Sequence, residues 1–169
     1  MKKFVLVVLA AALFLGIGIQ NASADNGLKQ GTFALGVSTD PDMVIHGKYL
    51  LANDLAITGG LGFGLKGGDA EGTDIAVEAG VRKYLKVADF APFVGGVLSF
   101  SSTNDSNTTG FALYAEGGAE YFLSKHFSFE GSARFGYISN DVKNPVTGVK
   151  FKDSTFGTGR AAIGANFYF

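Results

Sequence analysis

Residues 155–169 at the end of the chain read T-F-G-T-G-R-A-A-I-G-A-N-F-Y-F, and their alternation decides the fold. Every second residue, counted back from the last one, belongs to an apolar face: Phe169, Phe167, Ala165, Ile163, Ala161, Gly159 and Gly157. The residues between them carry an arginine, an amide and small side chains: Tyr168, Asn166, Gly164, Ala162, Arg160 and Thr158. A period of two residues is that of a β-strand. The stretch therefore predicts a strand between an apolar and a polar environment.

The same alternation recurs through the rest of the chain. It predicts strands at about residues 31–39, 43–51, 55–66, 74–85, 92–100, 110–123, 127–138 and 155–169. Short turns are predicted at residues 52–54, 86–90 and 124–126, and they alternate with longer polar loops at residues 67–73, 101–109 and 139–154. The connection at residues 40–42 is also short, although it falls at the end where the longer loops lie. Strands of about 9–11 residues suit a tilted crossing of a bilayer, and in lipid a sheet must close on itself to satisfy its backbone. The sequence predicts an all-β fold, an eight-stranded antiparallel up-and-down transmembrane β-barrel.

The amino terminus predicts export. Met1, Lys2 and Lys3 form a basic head, residues 4–19 are apolar, and Ala22 and Ala24 lie where a signal peptidase reads small residues. The alternative is a membrane anchor, but the apolar run is shorter than the roughly 20 residues that a spanning helix needs. We therefore predict a cleavable signal peptide at residues 1–24 and one barrel domain at residues 25–169, in which residues 25–30 are a polar leader without clear structure.

Composition excludes several classes of protein. The chain has no cysteine, so it has neither a lipoprotein acylation site nor disulfides. A net charge of −1 is too balanced to indicate a nucleic-acid partner. The chain combines 25 glycines with 13% aromatic residues, which does not favour a helical protein, since glycine is costly in helices but useful where barrel strands curve.

The final residues also carry a resemblance to a known family. A chain that ends on Phe169, with Phe167 on the same face and Tyr168 between them, resembles the closing strand of bacterial outer-membrane β-barrels. In that family such an end is the signal that the barrel-assembly machinery reads. The size is similar to the small OmpX and OmpA-membrane-domain type. The resemblance implies a Gram-negative outer membrane reached through the periplasm, with periplasmic chaperones, the assembly machinery, outer-membrane lipid and lipopolysaccharide as partners, and a monomer without nucleic acid.

Charged residues recur on the polar face of the predicted strands. They are four bases and four acids: Lys48, Arg82, Arg134, Arg160, Glu78, Glu116, Glu120 and Glu130. The lumen of an eight-stranded barrel is only wide enough for side chains, and an unpaired buried charge costs several kcal/mol. We therefore predict a network of ion pairs that plugs the lumen. The alternative for the same residues is conduction of ions, or a carboxylate pair that acts as acid and base.

Aromatic residues cluster near the two ends of the predicted strands. At the end with short turns these are Phe33, Tyr49, Tyr121, Phe127 and Phe169, and at the other end Phe63, Phe100, Phe111 and Tyr137. Aromatic rings at both interfaces are typical of membrane barrels. We predict that these residues form two girdles, whereas the alternative is the core of a soluble sandwich.

No residue set predicts catalysis, a metal or a cofactor. His126, Ser128 and Glu130 resemble the His-x-Ser arrangement of a barrel that deacylates lipid A, but His126 falls at a turn and Ser128 on the lumen face. His46 has no second histidine at ligand spacing and is predicted to be a hydrogen-bonded wall residue. The predicted function is structural or adhesion-like, through extracellular loops such as that around residues 149–152. The alternatives are a narrow channel and, third, a lipid A-modifying enzyme.

Overall fold

The protein is a closed barrel of eight antiparallel strands. The computed structural model describes residues 26–40, 42–66, 72–103, 108–143 and 149–169. The strands are β1 (Phe33–Asp40), β2 (Asp42–Ala52), β3 (Leu55–Lys66), β4 (Gly72–Tyr84), β5 (Phe90–Thr103), β6 (Thr108–Ser124), β7 (Phe127–Lys143) and β8 (Lys150–Tyr168). Each strand pairs with the next, and β1 pairs with β8, so the sheet closes in up-and-down order. The predicted fold class and strand number are confirmed.

The outer wall is apolar. Every strand places large hydrophobic side chains outward and exposed, for example Leu35, Ile45, Leu61, Val77, Leu98, Leu113, Phe129 and Ile163. Residues between them point into the barrel, because successive side chains on a strand lie on opposite faces. Among the described residues no helix is long and apolar enough to span a bilayer.

The interior is built in three layers. At the end with short turns, which we call the turn end, lies the floor cluster of buried residues: Leu28, Ala34, Leu50, Ala56, Tyr84, Ala91, Phe93, Phe122 and Tyr168. Nearer the opposite end, the loop end, the upper cluster consists of Val97, Ala112 and Tyr114, with Ile138 packed against it. Most buried charged residues lie between the floor cluster and the level of the upper cluster, whereas Glu78 lies level with Ala112, because Glu78 pairs with Ser99 and Ser99 pairs with Ala112. The ionic layer is thus covered by apolar side chains at the turn end, and toward the loop end it has apolar neighbours on the side of β5, β6 and β7.

The strands are longer than predicted on one side of the barrel. Of the predicted loop at residues 101–109, Ser101, Ser102, Thr103, Thr108 and Thr109 belong to β5 and β6. Most of the predicted loop at residues 139–154 extends β7 and β8. These polar residues form β-strands because the backbone hydrogen bonds between neighbouring strands continue beyond the point where hydrophobic and polar residues stop alternating. β1 has 8 residues and β8 has 19, so the wall is low at β1 and tall at β8.

The sequence pattern placed Gly157 on the apolar face of the last strand, and this prediction was wrong. Pairing between β7 and β8 shifts after Arg134, which pairs with Arg160, so that Phe135 pairs with Thr158. This bulge reverses the phase of β8 beyond Gly159. Gly157 therefore pairs with Gly136 on the lumen side, and the ring of Phe156 lies outward against Phe135, with 4.8 Å between centroids.

The polar leader contains no helix or strand over residues 26–30, but its described residues make defined contacts with the barrel. Leu28 is buried in the floor cluster, and Gly31 N–H donates to the Leu50 carbonyl at 2.8 Å. The leader was predicted to lack structure because its sequence is polar apart from Leu28. The predicted signal peptide at residues 1–24 lies outside the described residues.

Candidate functional site

The predicted charged residues come from five strands and lie in the middle of the lumen, and the ion pairs between them join β2, β4, β6 and β7. We call this layer the ionic belt; it comprises Lys48, Glu78, Arg82, Glu116, Glu120, Glu130, Arg134 and Arg160. Its first ion pairs involve Lys48 on β2, whose Nζ lies 2.9 Å from Glu120 Oε2 and 2.5 Å from Glu130 Oε2. Lys48 and Glu120 are 1% and 0% exposed, so water reaches neither. The lysine therefore neutralises two carboxylates that face each other across the pair β6–β7.

Arg82 joins this group to the next carboxylate. Its Nη1 donates to Glu130 Oε2 at 2.7 Å, and its Nη2 donates to Glu116 Oε2 at 3.1 Å. The guanidinium also stacks over the Phe93 ring of the floor cluster, at 3.8 Å from the centroid, a distance at which a cation is attracted to the ring face. Arg82 thus connects the ionic belt to the floor cluster.

Arg134 completes the chain of ion pairs toward the loop end. Its Nε donates to Glu116 Oε1 at 3.3 Å, and its Nη1 lies 3.1 and 3.0 Å from the two carboxylate oxygens of Glu78. Arg160 faces the same lumen, and its guanidinium lies 5.8 Å from the centroid of the Tyr114 ring in the upper cluster. Acids and bases therefore alternate along the layer.

Neutral side chains complete the site around Glu120, and the sequence did not assign them to it. Glu120 Oε1 accepts hydrogen bonds from Ser128 Oγ at 2.5 Å, Asn166 Nδ2 at 3.0 Å and Tyr168 Oη at 2.7 Å. Its Oε2 accepts from Tyr84 Oη at 2.6 Å. The phase of the strands placed these four residues inward, which is the signal that could have found them.

Gly36 permits the contact that holds the histidine of the lumen wall. His46 Nε2 lies 2.7 Å from Asn166 Oδ1, which confirms the prediction of a hydrogen-bonded wall residue. A Cβ at Gly36 would collide with both of these atoms. Within the described ranges, no group of three or more histidine, cysteine or acidic side chains could hold a metal ion.

Little space is left beside the ionic belt. A cavity of about 30 Å³ is bordered by the charged residues Arg82, Glu116, Glu130 and Arg134 and by the small wall residues Ser38, Gly60 and Ser132. This is room for no more than a few water molecules. Gly60 and its neighbours on β3 leave the inner wall bare, and the cavity lies against this stretch of the wall.

The His-x-Ser arrangement is divided between two environments. Ser128 is buried and its hydroxyl donates to Glu120. His126 lies in the turn between β6 and β7, where its Nδ1 is 3.0 Å from the Tyr168 carbonyl oxygen. The two side chains therefore engage different partners, as expected from their phase.

The aromatic residues lie at the ends of the strands. At the turn end, Phe33 stacks on Phe169 with 6.4 Å between centroids, and Phe167 packs against Phe169 at 5.1 Å. Tyr49 and Tyr121 are exposed there, and Phe127 is half-buried. At the loop end, Phe100 packs against Phe111 at 5.2 Å, and Phe63 and Tyr137 are exposed. Their assignment to membrane girdles, and that of Phe167 and Phe169 to an assembly signal, stay predictions.

Solved structures share this architecture. No protein-family model and no curated protein sequence matches the chain. The outer membrane protein OprG from Pseudomonas aeruginosa is similar over 87% of this chain and 99% of its own, with 15% identity and a TM-score of 0.62. AlkL, an outer membrane protein solved in DMPC bilayers, matches over 91% and 95%, with 13% identity and a TM-score of 0.59. The N-terminal β-barrel domain of Pseudomonas aeruginosa OprF matches over 83% and 98%, with 15% identity and a TM-score of 0.53. The chain has the fold of the small eight-stranded outer-membrane barrels.

Proposed function

We propose that this protein spans the Gram-negative outer membrane as a barrel with a closed lumen, and that it acts through its outer surface and loops without catalysis. The observation that carries the proposal is the ionic belt, whose buried ion pairs cross the lumen above the floor cluster. Solutes would have to break these pairs in order to pass. A buried pair that loses one partner costs about 3–5 kcal/mol, so the closed arrangement is strongly favoured.

The outer wall supports a position in a bilayer. Phe127 and Tyr137 on β7 are about ten residues apart, which is about 33 Å along a strand. With the tilt of about 40° that is usual in such barrels, their vertical separation is about 25 Å, the height of the apolar band of an outer-membrane barrel. Exposed leucine, isoleucine and valine side chains occupy the wall between these levels. Lipid would cover this surface.

The tall side of the barrel is the candidate surface for interaction. β7 and β8 continue beyond Tyr137 and Phe156, and Phe151 on β8 and Val149 just before it are exposed at the loop end. Deletion of residues 144–152 tests this part of the proposal. Weaker binding to neighbouring or host cells supports it, whereas unchanged binding with normal barrel folding contradicts it.

Conductance of the refolded protein tests the closed lumen. Purified protein with heat-modifiable migration on an unheated detergent gel is added to a planar bilayer, and the current is compared with that of lipid alone. We expect no steady conductance steps. A matched variant, Glu130→Gln, removes the carboxylate that Lys48 and Arg82 share and is expected to produce occasional openings. Steady steps from the unchanged protein would contradict the proposal.

The alternative is a narrow channel, and the cavity beside the ionic belt favours it. That cavity is lined by polar groups, among them Ser38, His46, Thr58 and Ser132. Movement of Arg134 away from Glu78 would lengthen it toward the loop end. In this case the unchanged protein conducts, and Ser132→Leu, which narrows the cavity, lowers the conductance while Ser102→Leu near the loop end does not.

A further inference from the structure

The segment before β1 crosses the open mouth of the barrel at the turn end. A Cβ at Gly27 would lie 2.6 Å from the Tyr168 ring and 2.9 Å from the Lys125 carbonyl oxygen, so this glycine is in close contact with the β6–β7 turn. The Gln30 N–H donates to Asn53 Oδ1 in the β2–β3 turn at 2.9 Å. These two turns are separated by four strands in either direction around the wall. The segment therefore spans the full width of the mouth.

Leu28 points from this segment into the lumen. It is 3% exposed and belongs to the floor cluster, whose other members come from seven of the strands. Complete burial of a leucine side chain contributes about 1.5–3 kcal/mol. The apolar side chain thus anchors a segment that is otherwise polar, and it covers the floor cluster from the turn end.

Local hydrogen bonds hold the backbone of the segment in a turn that presents Leu28. Asn26 Oδ1 accepts from the Leu28 N–H at 3.1 Å, and the Lys29 carbonyl accepts from the Thr32 N–H at 3.0 Å. Gly31 has φ of 85°, which glycine adopts without strain. From there the chain joins the wall, because Leu50 N–H donates to the Thr32 carbonyl at 3.0 Å. The sequence of this turn thus allows the Leu28 side chain to insert into the lumen.

We propose that residues 26–31 are an intramolecular stopper, which closes the turn-end mouth of the barrel as a barrier separate from the ionic belt. The stopper excludes water from the floor cluster and keeps the lower side of the ionic belt dry, where ion pairs are strongest. Because it is held by one apolar side chain and a few hydrogen bonds, it can be withdrawn while the wall stays closed. The inference rests on the proposed closed lumen only where conductance is concerned.

The first test uses single cysteines in the otherwise cysteine-free chain. Leu28→Cys and Lys29→Cys are refolded in detergent micelles and treated with a water-soluble maleimide. The two positions are adjacent, and Leu28 is buried whereas Lys29 is exposed. We expect the cysteine at position 28 to react at least about tenfold more slowly, the protection that a docked segment provides. Equal rates would overturn the proposal.

The second test withdraws the stopper and probes both ends of the lumen. Ala91→Cys reports on the floor cluster and Ala112→Cys on the upper cluster, and both side chains are buried. In a Leu28→Asp background we expect maleimide labelling at position 91 to rise at least about tenfold and labelling at position 112 to stay unchanged. No rise at position 91 contradicts the stopper, and equal rises contradict its independence from the wall. If Leu28→Asp does not refold, Leu28→Ala replaces it, and labelling must again rise more at position 91 than at position 112.

Conductance separates this inference from the proposed function. The Leu28→Asp variant keeps the ionic belt, so we expect it to remain without steady conductance steps. Conductance steps from this variant, together with increased labelling at position 91, would support the stopper as a barrier. They would contradict the proposal that the ionic belt closes the lumen. Absence of both effects would contradict the stopper alone.

Discussion

Two buried carboxylates of the ionic belt are held in different ways. Glu120, near the floor cluster, is 0% exposed and accepts hydrogen bonds from one lysine and four neutral side chains. Glu78, toward the loop end, is 8% exposed and is held by Arg134, which is 12% exposed and also pairs with Glu116. The polar cavity borders Glu78 but not Glu120.

The difference follows from the access of water. A carboxylate that loses all hydration needs a donor for each lone pair, because an unmade hydrogen bond in a low-dielectric site is expensive. Near the cavity, water can supply the missing donors, and a single cation is sufficient. Protein side chains therefore supply most of the hydrogen-bond donors to the carboxylates close to the floor cluster, and they supply fewer toward the loops. Mutations at the two sites measure this gradient.

The largest effect is expected from Glu120→Gln. The change leaves Lys48, which is 1% exposed, with Glu130 as its remaining carboxylate partner in the described network. We expect a loss of about 3–5 kcal/mol in the free energy of unfolding, measured by urea titration in lipid vesicles with unheated gels as readout. A loss below that of Glu78→Gln would reverse the proposed gradient.

A smaller effect is expected from removal of one neutral donor. Tyr84→Phe and Tyr168→Phe each delete a hydroxyl that donates to Glu120. Hydrogen bonds to charged groups contribute about 1.5–3 kcal/mol, so each variant should lose roughly that amount in the same titration. Tyr121→Phe, on the exposed outer wall, is the matched control and should change little. Equal losses in all three variants would remove the special role of the Glu120 site.

A still smaller loss is expected from Glu78→Gln. Arg134 keeps its pair with Glu116, and its partial exposure lets water hydrate the freed guanidinium. We expect a loss of about 1 kcal/mol in the free energy of unfolding. The double variant Glu78→Gln with Glu116→Gln removes both partners, and its loss should exceed the sum of the single losses. Simple additivity would indicate that Arg134 is not shared between them.

The smallest effect is expected outside the lumen. Lys83 Nζ and Asp54 Oδ2 form an ion pair of 2.6 Å at the turn end, with both side chains about half exposed. Exposed pairs contribute about 0–1 kcal/mol. Lys83→Met should therefore change stability by less than Glu78→Gln does, and added salt should reduce the difference further. A loss as large as that of Tyr84→Phe would contradict the dependence on burial.

Several features of this gradient could be predicted from the sequence and others could not. The inward position of Lys48, Glu120 and Arg82 followed from strand phase alone, because the period of two is a local property of the backbone. Which of them pair depends on register across strands far apart in sequence, so the contacts of Lys48 with β6 and β7 were not predictable. The bulge that reverses Gly157 also escaped prediction, since a glycine-rich stretch alternates equally well in either phase.

The amino-acid pattern by itself determined that this chain forms eight strands, each with an apolar and a charged face. Successive residues of a strand face opposite environments, so the alternation is visible in the sequence. The tertiary structure alone decided that one lysine and four neutral donors converge on Glu120, that the wall is taller on one side, and that Leu28 is buried in the floor cluster. Those outcomes depend on closure of the sheet, which brings β8 beside β1 and places opposite turns within reach of a short polar segment. Alternation is local, whereas closure is a property of the whole barrel.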